Sequence, residues 1–202
     1  MNSEDIAAIY LEAVEIFVNH ILYVRELYPL QIFKKHLVYN TPVFILSFPA
    51  LKCYIANVLK TVEKMLENPN HEAFKLELIV YEHESKHLES YVIEMLPISL
   101  DLIQTTDQYL LEYEQQLRSA LYKLAERCKK LPKLPHDSKF KLQIHTTQIA
   151  FQSLSHDVHY QEFPWLQTEV EHKEDASQKF SILPLARINK VGLKMQAQFY
   201  KF

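Results

Sequence analysis

A single glycine, Gly192, stands among 202 residues, where average usage would supply roughly 7%. Glycine lets a backbone approach a phosphate closely or turn with positive φ at little steric cost. Its near-absence removes whole function classes. A phosphate-cradling P-loop and a dinucleotide fingerprint each need several glycines at fixed spacing. The G-x-S-x-G nucleophile elbow is missing as well. Most nucleotide-dependent and acyl-transfer enzymes are thereby excluded.

The remaining composition is that of an ordinary globular chain, with 48% apolar and 23% charged residues. The length suits one domain with a real core, read here as residues 1–202. A formal net charge of -3 is not the basic footprint of a protein that grips nucleic acid by itself. No direct nucleic-acid contact is expected. Cys53 and Cys128 are far apart and each lies in a helical pattern, so a reducing compartment is expected rather than a disulfide framework. The start, MNSEDIAAIY, lacks the basic and apolar regions of a secretory signal. No run of about 18 apolar residues stands out to span a bilayer. The expectation is an intracellular, soluble chain without membrane contact.

Hydrophobic spacing divides the chain into elements. Ile6, Ile9, Tyr10, Ala13, Ile16, Phe17, His20, Ile21 and Val24 recur every three or four residues and predict a long amphipathic helix. Glu4 and Asp5 suit its first turn, and Pro29 is read as its stop. IFKKHLVYNTPVFILSF, broken at Asn40-Thr41-Pro42, predicts short extended segments. A second helix starts near Pro49 and carries Leu51, Tyr54, Ile55, Val58, Leu59, Val62, Met65 and Leu66 on one side. Asn68-Pro69-Asn70 ends it. KLELIVYE and HLESYVIEM alternate with period two and predict a hairpin. A third helix is expected from about Thr106, a plausible N-cap, to Cys128, before Pro132 and Pro135. KFKLQIHT is a further strand. From about residue 147 the chain reads as a β-rich arm, with extended candidates HDVHYQEFPW, KFSILPLA and LKMQAQFYKF around an acidic loop. The architecture predicted from the residues is α+β: three helices and a mainly antiparallel sheet, then a long C-terminal arm.

His83-Glu84-Ser85-Lys86-His87 spells H-E-x-x-H, a zinc-peptidase pattern. That chemistry requires a helix, where i and i+4 bring both imidazoles to one face and the glutamate serves as general base. Here the five residues join two alternating runs, so they are read as a hairpin connection. His156 and His159 fare no better, since residues three apart on a strand face opposite ways. No metal, cofactor or catalytic constellation is predicted.

Several stretches carry a resemblance. Asn19 to Phe33 (NHILYVRELYPLQIF), Glu114-Gln115-Gln116-Leu117-Arg118, Glu162-Phe163-Pro164-Trp165 and Leu193-Lys194-Met195-Gln196 together are very similar, in order and spacing, to the HORMA-domain accessory subunits of DNA polymerase zeta, the mitotic arrest-deficient 2-like group. The resemblance covers essentially the whole chain. It implies the HORMA fold, with a core of about 1–146 and a safety belt of about 147–202 that wraps a partner peptide against the sheet by β-augmentation. It further implies a non-catalytic adaptor in translesion synthesis. Such an adaptor binds a proline-containing peptide of the polymerase zeta catalytic subunit and bridges it to a Y-family deoxycytidyl transferase scaffold polymerase.

By the same resemblance Tyr54 and Trp165 contact the peptide, and Ile182, Gln196 and Gln198 form the surface for the scaffold polymerase. The vertebrate pattern has tyrosine where Gln198 stands. Arg118 and Lys35 correspond to a HORMA–HORMA dimer interface, homo- or heteromeric. An AAA+ remodelling ATPase and a location in nucleus and cytoplasm are implied as well. The rival readings are a HORMA adaptor of spindle-checkpoint or meiotic type and, more remotely, a zinc peptidase built on His83 and His87.

Overall fold

The computed structural model describes residues 3–67, 72–83, 86–97, 106–156, 165, 180–189 and 191–200, with the side chains of 3–6 and 106–109 outside that set. Helix α1 (Ser3–Val24) leads through a short 3-10 turn (Leu30–Ile32) into strands β1 (Phe33–Val38) and β2 (Thr41–Leu46). Then follow α2 (Pro49–Leu66), β3 (Phe74–Tyr81), β4 (His87–Met95), α3 (Thr106–Cys128), β5 (Lys139–His145), α4 (Gln148–Ser155), β6 (Phe180–Ile188) and β7 (Leu193–Tyr200).

The alternation seen in the sequence becomes a five-stranded antiparallel sheet in the order β5-β3-β4-β7-β6, with β1 and β2 forming a separate ribbon. One sheet face is apolar: Leu76 and Leu78 on β3, Tyr91 and Ile93 on β4, Met195 and Ala197 on β7 are all buried. The stripe of α1 (Tyr10, Ala13, Phe17, Ile21) and that of α3 (Tyr113, Leu117, Leu121, Leu124) enter the same core. The first helix is thus the central one. Its window Ala7–Val24 has a mean hydropathy of 1.4, long and apolar enough to cross a membrane by length and composition, which corrects the expectation that no such run exists. More than half of that window is buried inside this fold.

Two further differences from the sequence reading have local causes. Pro29 is not what stops α1. The helix ends at Val24 in a Schellman arrangement, with Leu27 N–H bonded to the Leu22 carbonyl at 3.2 Å and Glu26 N–H to that of Tyr23 at 3.1 Å. Glu26, at φ 51°, holds the left-handed position glycine would usually take. The ribbon turn likewise uses Tyr39 (φ 49°) and Asn40 (φ 56°), the two positive φ values of a type I′ connection. Gly192 (φ 66°) is kept for the β6–β7 turn, where its carbonyl accepts from Leu96 N–H at 2.8 Å.

The second difference is a fourth α-helix, α4, at the start of the segment read as a β-rich arm; Thr147 caps it by accepting from Ala150 N–H at 3.3 Å. His156 is the C-cap of that helix, not a strand residue. Residues 157–164 of the proposed strand HDVHYQEFPW lie outside the described residues, as do Asn68-Pro69-Asn70 and the side chain of Thr106.

A buried ion pair fixes the exit of α1. Arg25 donates through Nε to Glu89 Oε2 at 2.9 Å and pairs through a second nitrogen with Oε1 at 2.8 Å, the two side chains being 5% and 7% exposed. Tyr91 donates to the same carboxylate at 2.6 Å, and Arg25 reaches the Pro132 carbonyl at 3.0 Å. One guanidinium thereby joins α1, β4 and the α3–β5 connection. Further along, the Tyr10 hydroxyl contacts the carbonyls of Val191 and Leu96, holding the β6–β7 turn against α1.

Candidate functional site

Two strands form the edges of the large sheet, β6 on one side and β5 on the other. In an antiparallel pair a residue's N–H and C=O point to the same side, and the side alternates along the strand. Leu142, opposite Leu78 of β3, turns its N–H away from β3 and donates it to the Tyr54 hydroxyl at 3.2 Å. Phe140 and Ile144 share that outward side. The outer backbone of β5 is therefore oriented to receive another strand.

Helix α2 frames this edge. Tyr54 lies edge-on to Phe140 at 6.0 Å, as does Tyr28 at 6.1 Å. Burial raises the pKa of the Tyr54 phenol, opposed by the hydrogen bond from Leu142, so the ring stays neutral around pH 7. Seven residues on, the same helix face carries Thr61. Trp165, half-buried against the core, donates its indole N–H to the Thr61 hydroxyl at 3.2 Å. Tyr54 thus meets β5 directly, while Trp165 is seated on Thr61, two turns further along the same helix.

On the outer sheet face, Ile182 is opposite Gln198 and Pro184 opposite Gln196, so all four point the same way. Ile182 is 54% exposed. The three residues expected to meet a scaffold polymerase form one contiguous surface, and Tyr200 donates to Gln198 Oε1 at 3.4 Å. Elsewhere on this face Glu77 joins β3 to its neighbours: it pairs with His145 of β5 at 2.7 Å and accepts from Ser90 of β4. Burial raises its pKa, but these hydrogen bonds lower it further and the carboxylate stays ionised.

Arg118 has an intramolecular task. From the exposed face of α3 it donates to Thr41 Oγ1 at 2.8 Å and to the Tyr39 carbonyl at 2.7 Å, clamping the left-handed turn of the β1–β2 ribbon. Lys35 is exposed on the same ribbon, opposite Phe44. The ribbon is what relates the two: Arg118 bonds its turn, and Lys35 lies along its first strand.

The H-E-x-x-H pentapeptide straddles a turn and a strand, as its setting predicts. His83 is exposed in the β3–β4 connection and His87 opens β4, while Glu84 and Ser85 lie outside the described residues. Burial and the charge of Lys141 lower the pKa of His87. Among the described residues no three His, Cys, Asp or Glu side chains gather to hold a metal.

Sequence reasoning missed Thr61, Phe140, and the Arg25–Glu89 pair. Thr61 carried a usable signal, its seven-residue spacing from Tyr54. The ion pair had none, because charged residues so far apart read as solvated.

Solved structures locate the fold among known ones. The chain aligns over 99% of its length with a chain of the mitotic checkpoint complex, covering 96% of that chain with a TM-score of 0.74 at 16% identity. C. elegans HTP-1 bound to an HTP-3 motif aligns over 99% of this chain and 93% of its own with a TM-score of 0.63 at 11% identity. The architecture is that of HORMA-domain proteins. No family model matches the sequence. Among curated proteins, the Drosophila melanogaster DNA polymerase zeta subunit 2 is 45% identical over 196 residues, 96% of this chain and 97% of its own. The human mitotic spindle assembly checkpoint protein MAD2B is 31% identical over 193 residues, 95% of this chain and 88% of its own. The chain belongs to this HORMA-domain family of DNA polymerase zeta subunit 2 and MAD2B.

Proposed function

We propose that the chain is a non-catalytic HORMA adaptor that takes a short proline-bearing peptide of the DNA polymerase zeta catalytic subunit along the edge of β5 that no other described strand covers. The observation that carries this reading is the outward-facing backbone of β5, framed by Tyr54 and by Trp165 on Thr61. A strand added there gains main-chain hydrogen bonds, while the aromatic rings supply the specificity that a backbone ladder lacks. β5 and β6 lie at opposite edges, and the belt of about 147–202 follows β5 in sequence and contains β6 and β7, an order that suits a belt closing over a bound peptide.

The outer face of β6 and β7, with Ile182, Gln196 and Gln198, then serves a Y-family scaffold polymerase. The exposed ribbon and α3 around Lys35 and Arg118 serve a second HORMA domain, and an AAA+ ATPase remodels the belt. The setting is translesion synthesis, with the protein in nucleus and cytoplasm. The 45% identity to a polymerase zeta subunit favours this partner over a checkpoint or meiotic one.

The test is a pull-down from cell extract with the tagged full chain, followed by identification of what is retained. Recovery of a polymerase zeta catalytic subunit supports the reading. Recovery of checkpoint or meiotic proteins alone points to the other HORMA branch. Stoichiometric zinc in the purified protein, lost in His83→Ala, overturns the adaptor reading in favour of a peptidase.

A further inference from the structure

An edge strand with unpaired backbone groups is a template for unwanted pairing, and proteins blunt such edges. Among the described residues, the edge of β5 is blunted at the Leu142 amide. Leu142 is the middle of the three outward-facing residues Phe140, Leu142 and Ile144, and its N–H is already given to the Tyr54 hydroxyl. The hydroxyl is brought there by rings as well as by the hydrogen bond, since Phe140, one of the flanking residues, packs edge-on against Tyr54. A strand that adds to β5 with an unbroken ladder must place a carbonyl where that hydroxyl now sits.

We infer that Tyr54 acts on incoming strands in two opposed ways: its ring attracts the peptide, and its hydroxyl holds the central edge amide until a peptide carbonyl replaces it. This rests on the reading of the β5 edge as the peptide site. The hydroxyl thereby serves as a selectivity filter. A strand that merely offers backbone gains little at Leu142, because it exchanges one hydrogen bond for another. A strand that also covers the Tyr54 and Trp165 rings gains the aromatic contacts and displaces the hydroxyl.

The two roles separate by substitution. Tyr54→Phe keeps the ring and removes the guard, and Tyr54→Ala removes both. In the peptide-free protein, amide hydrogen exchange followed by NMR is expected to speed up about tenfold or more at Leu142 in Tyr54→Phe. The backbone of Phe140 and Ile144 should be little affected. A synthetic proline-bearing peptide of the polymerase zeta catalytic subunit should bind Tyr54→Phe about fivefold more tightly than the parent chain, the worth of roughly one hydrogen bond. It should bind Tyr54→Ala more weakly.

Unchanged exchange at Leu142, or Tyr54→Phe binding equal to or weaker than the parent, overturns the inference. A peptide that binds none of the three proteins overturns the peptide-site reading and the filter with it. Leu142 exchange in the free protein still distinguishes that failure from a failure of the hydrogen bond itself.

Discussion

Single residues in this chain are under conflicting demands. His20 faces α3 from α1, with Nε2 at 3.0 Å from the Leu121 carbonyl and Nδ1 buried with no hydrogen-bond partner among the described residues. Burial pushes its pKa down to about 4 from an ordinary value of 6.5. The unfolded chain takes up a proton below about pH 6.5, while the folded ring refuses it until about pH 4. Protonation in that window therefore favours unfolding. The contribution of His20 is complete above pH 6.5 and is lost as pH falls to about 4, on the order of 3 kcal/mol in all. His20→Gln keeps a donor for Leu121 without titrating in this range. Urea melts at pH 7 and pH 5 should show a smaller drop for the variant than for the parent, and equal drops would refute the assignment.

Arg25 poses the opposite case, a charge made tolerable by its partner. Burial alone would lower its pKa, yet Glu89 holds the guanidinium charged. Arg25→Met leaves the Glu89 carboxylate buried beside Tyr91, so a loss of about 3–5 kcal/mol is expected in denaturant melts. Arg25→Met with Glu89→Leu should recover much of it, since removing both charges removes the desolvation penalty.

At the scale of elements, the clamp on the β1–β2 ribbon is the most exposed dependency. Tyr39 and Asn40 hold positive φ without glycine, a conformation that costs roughly 1–2 kcal/mol per ordinary residue. Arg118 offsets part of this by bonding Tyr39 and Thr41 of the turn at once. Arg118→Ala should destabilise the monomer by about 1 kcal/mol and speed exchange of ribbon amides, because solvent replaces the lost bonds. Arg118→Lys should not restore it, as an ammonium lacks the planar fork that reaches two acceptors at once. Unchanged ribbon exchange in Arg118→Ala at monomeric concentrations would mean that Arg118 matters only between molecules.

The same scale shows what a sequence discloses. Helices α1, α2 and α3 and the hairpin β3–β4 were legible because each repeats its period over many residues, and burial enforces that period. Helix α4 was not: QIAFQSLS spans two turns, too short for its stripe to outweigh the β-like residues around it. The end of α1 was misplaced because Pro29 is a visible stop signal, whereas a Schellman turn built on Glu26 is invisible when glycine is the expected residue. Trp165 was found through the F-P-W resemblance; its seat on Thr61 needed the folded helix.

For the whole molecule, scarcity of glycine and the position of the site belong together. Turns are stiffened by side chains rather than relaxed by glycine, and the one glycine sits in the turn of the C-terminal hairpin, gripped by Tyr10 and Leu96. The C-terminal hairpin is docked on β4, and among the described strands β5 is the opposite edge of the sheet, the place where the proposed peptide strand would add. The most direct test is the affinity of a proline-bearing peptide from the polymerase zeta catalytic subunit, measured by titration calorimetry with the parent chain and with Trp165→Ala. The account predicts one-to-one binding weakened about tenfold or more by the substitution, the usual loss when an aromatic anchor is truncated. No binding, or an affinity indifferent to Trp165, would contradict it.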